Sequence, residues 1–267
     1  MNRARQILVM ERFYGRIAEV LGEAVVVKGG MVLERRLVRA RTTKDLDLRL
    51  AGDPEALLEV LREAGRTPFG DFLTFTVEPD PAHATIDGDG MVYEGRRYRV
   101  TPAMAGKVYG AAFGVDAGFG DPLWGAAEFM DGTDTLDFCG APRAAWRVYP
   151  RQTHLAEKLH AYTLPREREN SRVKDLPDMA LLATTGPFDA DDLLAALRQT
   201  FSFRATHELP ASLPAPAGSW EAPYARMARE DQLPWATLGD VEVAVRAFID
   251  PVLARRAGQW KPETWTW

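Results

Sequence analysis

The sequence predicts an α/β (α+β) fold, with a mixed-sheet core over residues 1–150 and a mainly helical region over 151–267. Three observations carry that reading. Short β-branched or alternating runs, Val25-Val26-Val27, Leu46-Asp47-Leu48 and Phe72 through Val77, fall in the first half and suit strands. After Pro150 the apolar residues recur at helical spacing instead. The 267 residues, 46% of them hydrophobic, suffice for one large core or two modest ones.

Residues 5–21 suit an amphipathic helix with Ile7, Leu8, Phe13, Ile17, Val20 and Leu21 turned inward. The valine strand that follows ends in the turn Lys28-Gly29-Gly30, whose backbone can approach a ligand closely. Residues 31–39 suit a helix with Met31, Val32, Leu33, Leu37 and Val38 inward, and Glu34, Arg35, Arg36 and Arg39 outward. Strand alternation over Lys44 to Leu48 sends the leucines to the core and brings Asp45 and Asp47 out on the opposite face. Asp53 reads as the N-cap of a helix over 54–64 that Gly65 ends. Phe72 to Val77 is a strand, and the Asp87-Gly88-Asp89-Gly90 turn precedes paired strands around Glu94-Gly95. Val108 to Val115 reads as a strand with Asp116 at its end.

In the second half, Thr153 reads as the N-cap of a helix to Thr163, with Leu155, Leu159 and Tyr162 on one side. A charged loop from Arg166 enters a helix reaching Leu182, where Pro177 fits a first turn. Helices follow at 189–200, 222–230 and 238–256, with a Pro/Ala-rich connector over 206–223 and Pro251 ending or kinking the last one. Asp240 and Glu242 at one end of that helix, and Arg255 and Arg256 at the other, complement its dipole. Trp220, Trp235, Trp260, Trp265 and Trp267 read as packing anchors, with base stacking as the alternative.

A net charge of −5 excludes a globally basic nucleic-acid binder, so any RNA contact rests on a local patch. The single cysteine, Cys139, excludes an internal disulfide, fits a reducing compartment and reads as a small core residue. No apolar run approaches the roughly 20 residues of a membrane span, and the N-terminal one is too short for a signal peptide, so a cytoplasmic protein without membrane contact is expected.

Two carboxylates two residues apart on a strand can hold a hard divalent cation whose other oxygens come from water and a substrate phosphate. Asp45 and Asp47 meet that requirement, and Gly29 and Gly30 at a helix start offer N–H groups and a favourable dipole to an anion. Alone, each motif has a plainer reading: an ordinary turn, and the charged face of an edge strand. A two-metal site calls for a third carboxylate from a neighbouring strand, for which Asp116 is the candidate and Glu78 and Asp87 are weaker ones. A glycine turn, one helix and D-x-D on the next strand together resemble the nucleotidyltransferase superfamily of DNA polymerase beta type.

Further motifs follow in order: R-T-T-K-D-L-D-L, F-G-V-D-A-G-F-G-D, E-K-L-H-A and R-V-K-D-L-P-D-M. With K-G-G they resemble the AbiEii abortive-infection toxin family over residues 24–185, and more loosely beyond. That resemblance implies a nucleotidyltransferase toxin with a cognate antitoxin, an NTP substrate and Mg²⁺ or Mn²⁺, and relatives that modify tRNA 3′ ends. It places nucleotide binding on Lys28, Gly29, Gly30 and Thr43, metal binding on Asp45 and Asp47, and the later catalytic residues on Lys158, Asp175 and Asp178. Met31 departs from it, standing where relatives carry Thr or Ser.

Read from the residues alone, Lys158 is either a solvated helix residue or a phosphate ligand, and Asp175 and Asp178 cap a helix. His154 and His160, six apart, share no helix face and read as structural. Three functions stay open: nucleotidyl transfer to RNA, phosphotransfer to or nucleotidylation of a protein hydroxyl, and a catalytically idle module that binds an antitoxin or RNA. Arg35, Arg36, Arg39 and Arg41 are the candidate RNA patch, with a solvated helix face as the alternative.

Overall fold

The computed structural model describes residues 3–37, 43–81, 95–166, 172–256 and 258–267. The chain divides into two compact units. The first comprises Met1–Val32, Thr43–Asp121 and Ala127–Tyr149, and the second Leu33–Thr42, Pro122–Ala126 and Pro150–Trp267. Asp87, Arg39, Arg41 and the turn before Gly95 lie outside the described residues.

The first unit is a mixed sheet with helices. Its strands are β1 (Val25–Lys28), β2 (Asp45–Leu50), β3 (Leu73–Pro79), β4 (Gly95–Met104), β5 (Lys107–Val108), β6 (Phe113–Phe119), β7 (Glu128–Met130) and β8 (Trp146–Val148), and its helices are α1 (Arg3–Leu21) and α3 (Leu57–Arg66), with α2 (Gly29–Arg36) beginning in it. Strand order is β3-β4-β6-β2-β1-β8-β7, with β5 on β4. β2 lies parallel to β6 and antiparallel to β1, so the sheet is mixed as the sequence predicts.

Alternation decides the two faces. Leu46, Leu48 and Leu50 of β2, Val25 and Val27 of β1, Tyr98 and Val100 of β4, and Val115 and Ala117 of β6 are buried in one core with Phe13 and Ile17 of α1 and Leu57 and Leu61 of α3. The opposite face carries the charges. Burying these side chains stabilises by about 1.5–3 kcal/mol each for the larger ones, which fixes the register that the charged face inherits.

One charged cluster lies within this unit's interior. Asp71 accepts from Arg12 Nε and Arg16 Nη2, both at 2.5 Å, and the two guanidiniums also donate to the carbonyls of Phe69, Pro142, Thr67 and Leu73. Burial pushes the Asp71 carboxyl up, but the hydrogen bonds from Arg16, Arg12 and the Leu73 N–H outweigh it and hold its pKa below the ordinary carboxylate value.

The second unit is helical. It contains α4 (Arg151–Thr163), α5 (Asp175–Ala183), α6 (Ala190–Arg204), α7 (Glu221–Glu230) and α8 (Leu238–Leu253), packed around Leu155, Leu159, Leu176, Leu197, Val245, Phe248 and Trp260. Trp260 is fully buried and donates through Nε1 to Ala183 O, while Trp267 stacks on Phe248 at 5.5 Å. The late tryptophans are therefore packing residues. No helix among the described residues is long and apolar enough to cross a membrane.

Several local expectations are corrected. α3 begins at Leu57, because the Asp53 carboxylate accepts from Glu55 N–H and forms a turn before the helix instead of capping it, and Gly65 lies inside α3. Ala105 and Gly106, both at positive φ, turn β4 into β5, so the strand expected from Val108 starts only at Phe113 and runs past Asp116 to Phe119. Thr153 is not the N-cap of α4, which begins at Arg151; its hydroxyl accepts from Trp124 N–H instead. Pro251 stands in the last turn of α8, and Arg255 and Arg256 fall beyond the helix end. Cys139 is exposed, its thiol donating to Leu136 O in a single 3₁₀ turn.

Candidate active site

The site begins where β1 runs out. Lys28, its last residue, pairs with Asp47 across the antiparallel ladder, and Gly29 starts α2 at once with φ +71°. That left-handed conformation suits glycine. A second requirement coincides with it: a Cβ on Gly29 would stand 1.8 Å from Asp47 Oδ2. The turn expected before the helix is thus its first residue, and the Asp47 carboxylate rests directly against it.

Asp45 has a similar neighbour. Gly114 is its partner on β6, and a Cβ there would stand 2.4 Å from Asp45 Oδ1. Two glycines, Gly29 at the start of α2 and Gly114 within β6, leave the space that the two carboxylates of β2 occupy. Both aspartates are half-buried on the face opposite Leu46 and Leu48, as alternation requires. Thr43 is buried, and its hydroxyl donates to Asp45 O at 3.2 Å, which fixes the chain at the start of β2.

The ladder sets a row of charge across four strands. Lys28 pairs with Asp47, Asp47 with Asp116, and Asp116 with Arg97. Arg97 grips Asp116 through two bonds, Nε to Oδ1 at 2.6 Å and Nη2 to Oδ2 at 2.5 Å. That bond to Asp116 pushes the guanidinium's high pKa further up against the effect of burial, with Asp45 and Asp80 adding to the rise, so Arg97 is charged at every working pH. Lys28 bonds Asp121 Oδ2 at 2.8 Å, and Arg49 donates to Asp121 O.

Beside Asp45 lies a pocket of about 320 Å³ whose walls include Lys44, Arg97, Arg99, Phe113 and Gly114. Arg97, Arg99, Lys44 and Asp121 were not picked out by the sequence reading. The signal for the two arginines was present: they alternate with Tyr98 and Val100, which places them together on the polar face. Among the described residues, no three His, Cys, Asp or Glu side chains gather as a ready-made metal centre.

The remaining expected residues fall in the second unit, on α4 and α5. Lys158 Nζ donates to Asp175 Oδ1 at 3.0 Å and to Asp178 Oδ2 at 2.7 Å. Both aspartate side chains are 0% exposed and that of Lys158 is 12% exposed, so this lysine is not a solvated helix residue. Asp175 and Asp178 share one face of α5, as their spacing implies; among the described residues Asp175 Oδ2 has no hydrogen-bond partner, and Arg172 forms an ion pair with it at 4.0 Å. Arg35 and Arg36, from the proposed RNA patch, are half-buried and engaged with other groups. His154 and His160 are buried, the latter bonded to Thr206 through Nε2.

A polar sheet face with paired carboxylates on β2, a glycine helix start against one and a glycine strand against the other, defines the class: a nucleotidyltransferase-type core. A family model described as "Nucleotidyl transferase AbiEii toxin, Type IV TA system" matches residues 12–247, and the chain belongs to that family. It is a nucleotidyltransferase toxin, and the family's type implies an antitoxin partner. Among solved structures, a candidate nucleotidyltransferase from Helicobacter pylori is 16% identical with a TM-score of 0.50, covering 94% of this chain and 98% of that one. JHP933 from the same organism is 16% identical with a TM-score of 0.49 over 94% of each chain. MenT4, the nucleotidyltransferase toxin Rv2826c of Mycobacterium tuberculosis H37Rv, is 16% identical with a TM-score of 0.46 over 97% of this chain and 100% of that one. The likeness at 0.50 supports the fold. No curated protein matches the chain.

Proposed function

We propose that this toxin transfers a nucleotidyl group from an NTP to an RNA acceptor, the tRNA 3′ end being the acceptor that the family resemblance implies. One observation supports the reading: Asp45 and Asp47 share a polar strand face, each against a glycine whose missing side chain leaves room for its carboxylate. Such a pair fits Mg²⁺ or Mn²⁺, since two carboxylates leave the rest of the coordination shell to water and phosphate oxygens. Asp45 and Asp47 would hold that cation, which would supply charge neutralisation for the nucleotide's phosphates.

The chain's own residues do the rest. Gly29 and Gly30 present backbone N–H groups at the start of α2, where an anion is favoured, and Lys28 adds a positive charge beside them. Thr43 holds the backbone of Asp45. Asp116, fixed by Arg97, is the third carboxylate of the face and acts by holding the row in place. In the reaction the acceptor hydroxyl oxygen bonds to the α-phosphorus, the bond to the β-phosphate oxygen breaks, pyrophosphate leaves and the hydroxyl proton passes to water. Lys158, Asp175 and Asp178 belong to the proposal through the resemblance.

The test is incubation of the full chain with each labelled NTP, Mg²⁺ and total RNA, alongside Asp45→Asn and Asp47→Asn. Label should enter RNA with the parent protein and fall by at least about 100-fold in each variant, with growth arrest relieved and the melting temperature kept. Label in protein instead of RNA would favour a protein hydroxyl as acceptor. Full activity in both variants would remove the carboxylate pair from the chemistry.

A further inference from the structure

The pocket beside Asp45 is lined by three cations, Lys44, Arg97 and Arg99, and by two carboxylates, Asp45 and Asp80. Arg97 is committed to Asp116. Lys44 and Arg99 are exposed, and among the described residues neither forms an ion pair or a side-chain hydrogen bond. Two cations thus flank one wall of a cavity of about 320 Å³ that opens next to a carboxylate of the metal-suited pair. That volume lies at the size of small-ligand sites, and Ala112, Phe113 and Gly114 add apolar surface and backbone to it.

Its position relative to the glycine turn indicates what it takes. Gly29 and the start of α2 lie against Asp47, on the β1 side of β2, whereas the pocket lies against Asp45 on the side of β6 and β4. Displacement at phosphorus runs in line, so attacking and leaving oxygens stand on opposite sides of the phosphorus. If the phosphates that leave are held at the helix start, the attacking hydroxyl comes from the other flank. An acceptor bringing its own phosphate to Lys44 and Arg99 is a polynucleotide end; a protein hydroxyl brings none.

We propose that the Lys44–Arg99 pocket seats a backbone phosphate of a single-stranded RNA acceptor, and so selects RNA over protein hydroxyls. This rests on the nucleotidyl-transfer reading, but its first test does not. Binding of a labelled single-stranded oligoribonucleotide to the full chain is followed by anisotropy across a KCl series without NTP, for the parent and for Lys44→Ala/Arg99→Ala. Both side chains are exposed, so the double variant should fold. The expected result is affinity weakened about tenfold or more, with the slope of log K against log salt reduced by about 0.7 for the one phosphate no longer neutralised. No RNA binding by the parent, or unchanged affinity and slope in the variant, overturns the proposal. Steady-state kinetics separate the two sources of phosphate: a raised KM for RNA with an unchanged KM for NTP supports it, and the reverse assigns the pocket to the nucleotide. If the parent transfers no label at all, the transfer reading fails while the binding series still decides the pocket.

Discussion

Gly29→Ala tests the site most sharply, because Gly106 supplies a matched control. Both glycines sit at nearly the same backbone angle, φ +71° and +74°. Placing an L-residue there costs about 1–2 kcal/mol, a melting shift of roughly 2 to 8 °C in a chain of this size. The space around them differs. A Cβ at Gly106 meets nothing within 4 Å, whereas one at Gly29 would stand 1.8 Å from Asp47 Oδ2, 2.6 Å from its Cγ and 2.9 Å from its Cβ. Swinging the carboxylate aside does not relieve the last of these, so the β1–β2 backbone has to part as well. Gly106→Ala should therefore lower the melting temperature and leave transfer intact. Gly29→Ala should lower it at least as far and cut nucleotidyl transfer by about 100-fold, since misplacing a reacting group by about an ångström costs that much. Calorimetry paired with label transfer from NTP reads both. Equal stability losses with equal activities in the two variants would refute the claim that Gly29 makes room for Asp47.

Two further outcomes follow from charges already described. Lys158→Ala strips the shared ammonium from two fully buried aspartates, so unfolding should be easier by about 3 to 5 kcal/mol; a melting temperature within a degree of the parent's would show that the lysine is not their partner. For Asp71, whose folded pKa is depressed, the stabilisation is present above the unfolded carboxylate value of about 3.9 and is lost as pH falls through the folded one. Asp71→Asn should accordingly be far less stable than the parent at pH 7, with the gap closing in acid; urea titrations at pH 7 and pH 3 giving the same gap would contradict the assignment.

How much of this was legible in the sequence depended on range. Where a pattern is local, it was readable: Leu46, Leu48 and Leu50 go inward and Asp45 and Asp47 outward, as a period of two demands. Strands of three residues carry no such pattern, and neither β7 nor β8 was seen, although β8 pairs with β1 through Val27 and Val148. The sequence puts Asp116 at the end of a strand from Val108 to Val115, in a glycine-rich stretch that includes Gly114 and Gly118. Both lie inside β6, where Gly114 is needed to clear the Asp45 carboxylate, a reason visible only once β2 lies beside it. Lys158 stayed ambiguous for a similar reason. Its helix spacing says nothing of Asp175 and Asp178, seventeen and twenty residues on, and those two carboxylates decide whether the lysine is solvated.

The row on the sheet face needed three registers at once: Lys28 to Asp47, Asp47 to Asp116, and Asp116 to Arg97. A slip of one residue in any of them would send a charge into the core, so the apolar face that fixes the registers also fixes the site. Within the row two carboxylates stand side by side, an arrangement that repels. Arg97 answers it by taking both oxygens of Asp116, and Lys28 closes the other end while bonded to Asp121. The guanidinium thus cancels the repulsion at Asp116, and its field also reaches Asp45 on β2. In the proposed reading Asp45 and Asp47 would hold the cation, and the arginine that secures the neighbouring Asp116 lies on a strand where nothing but alternation hinted at it.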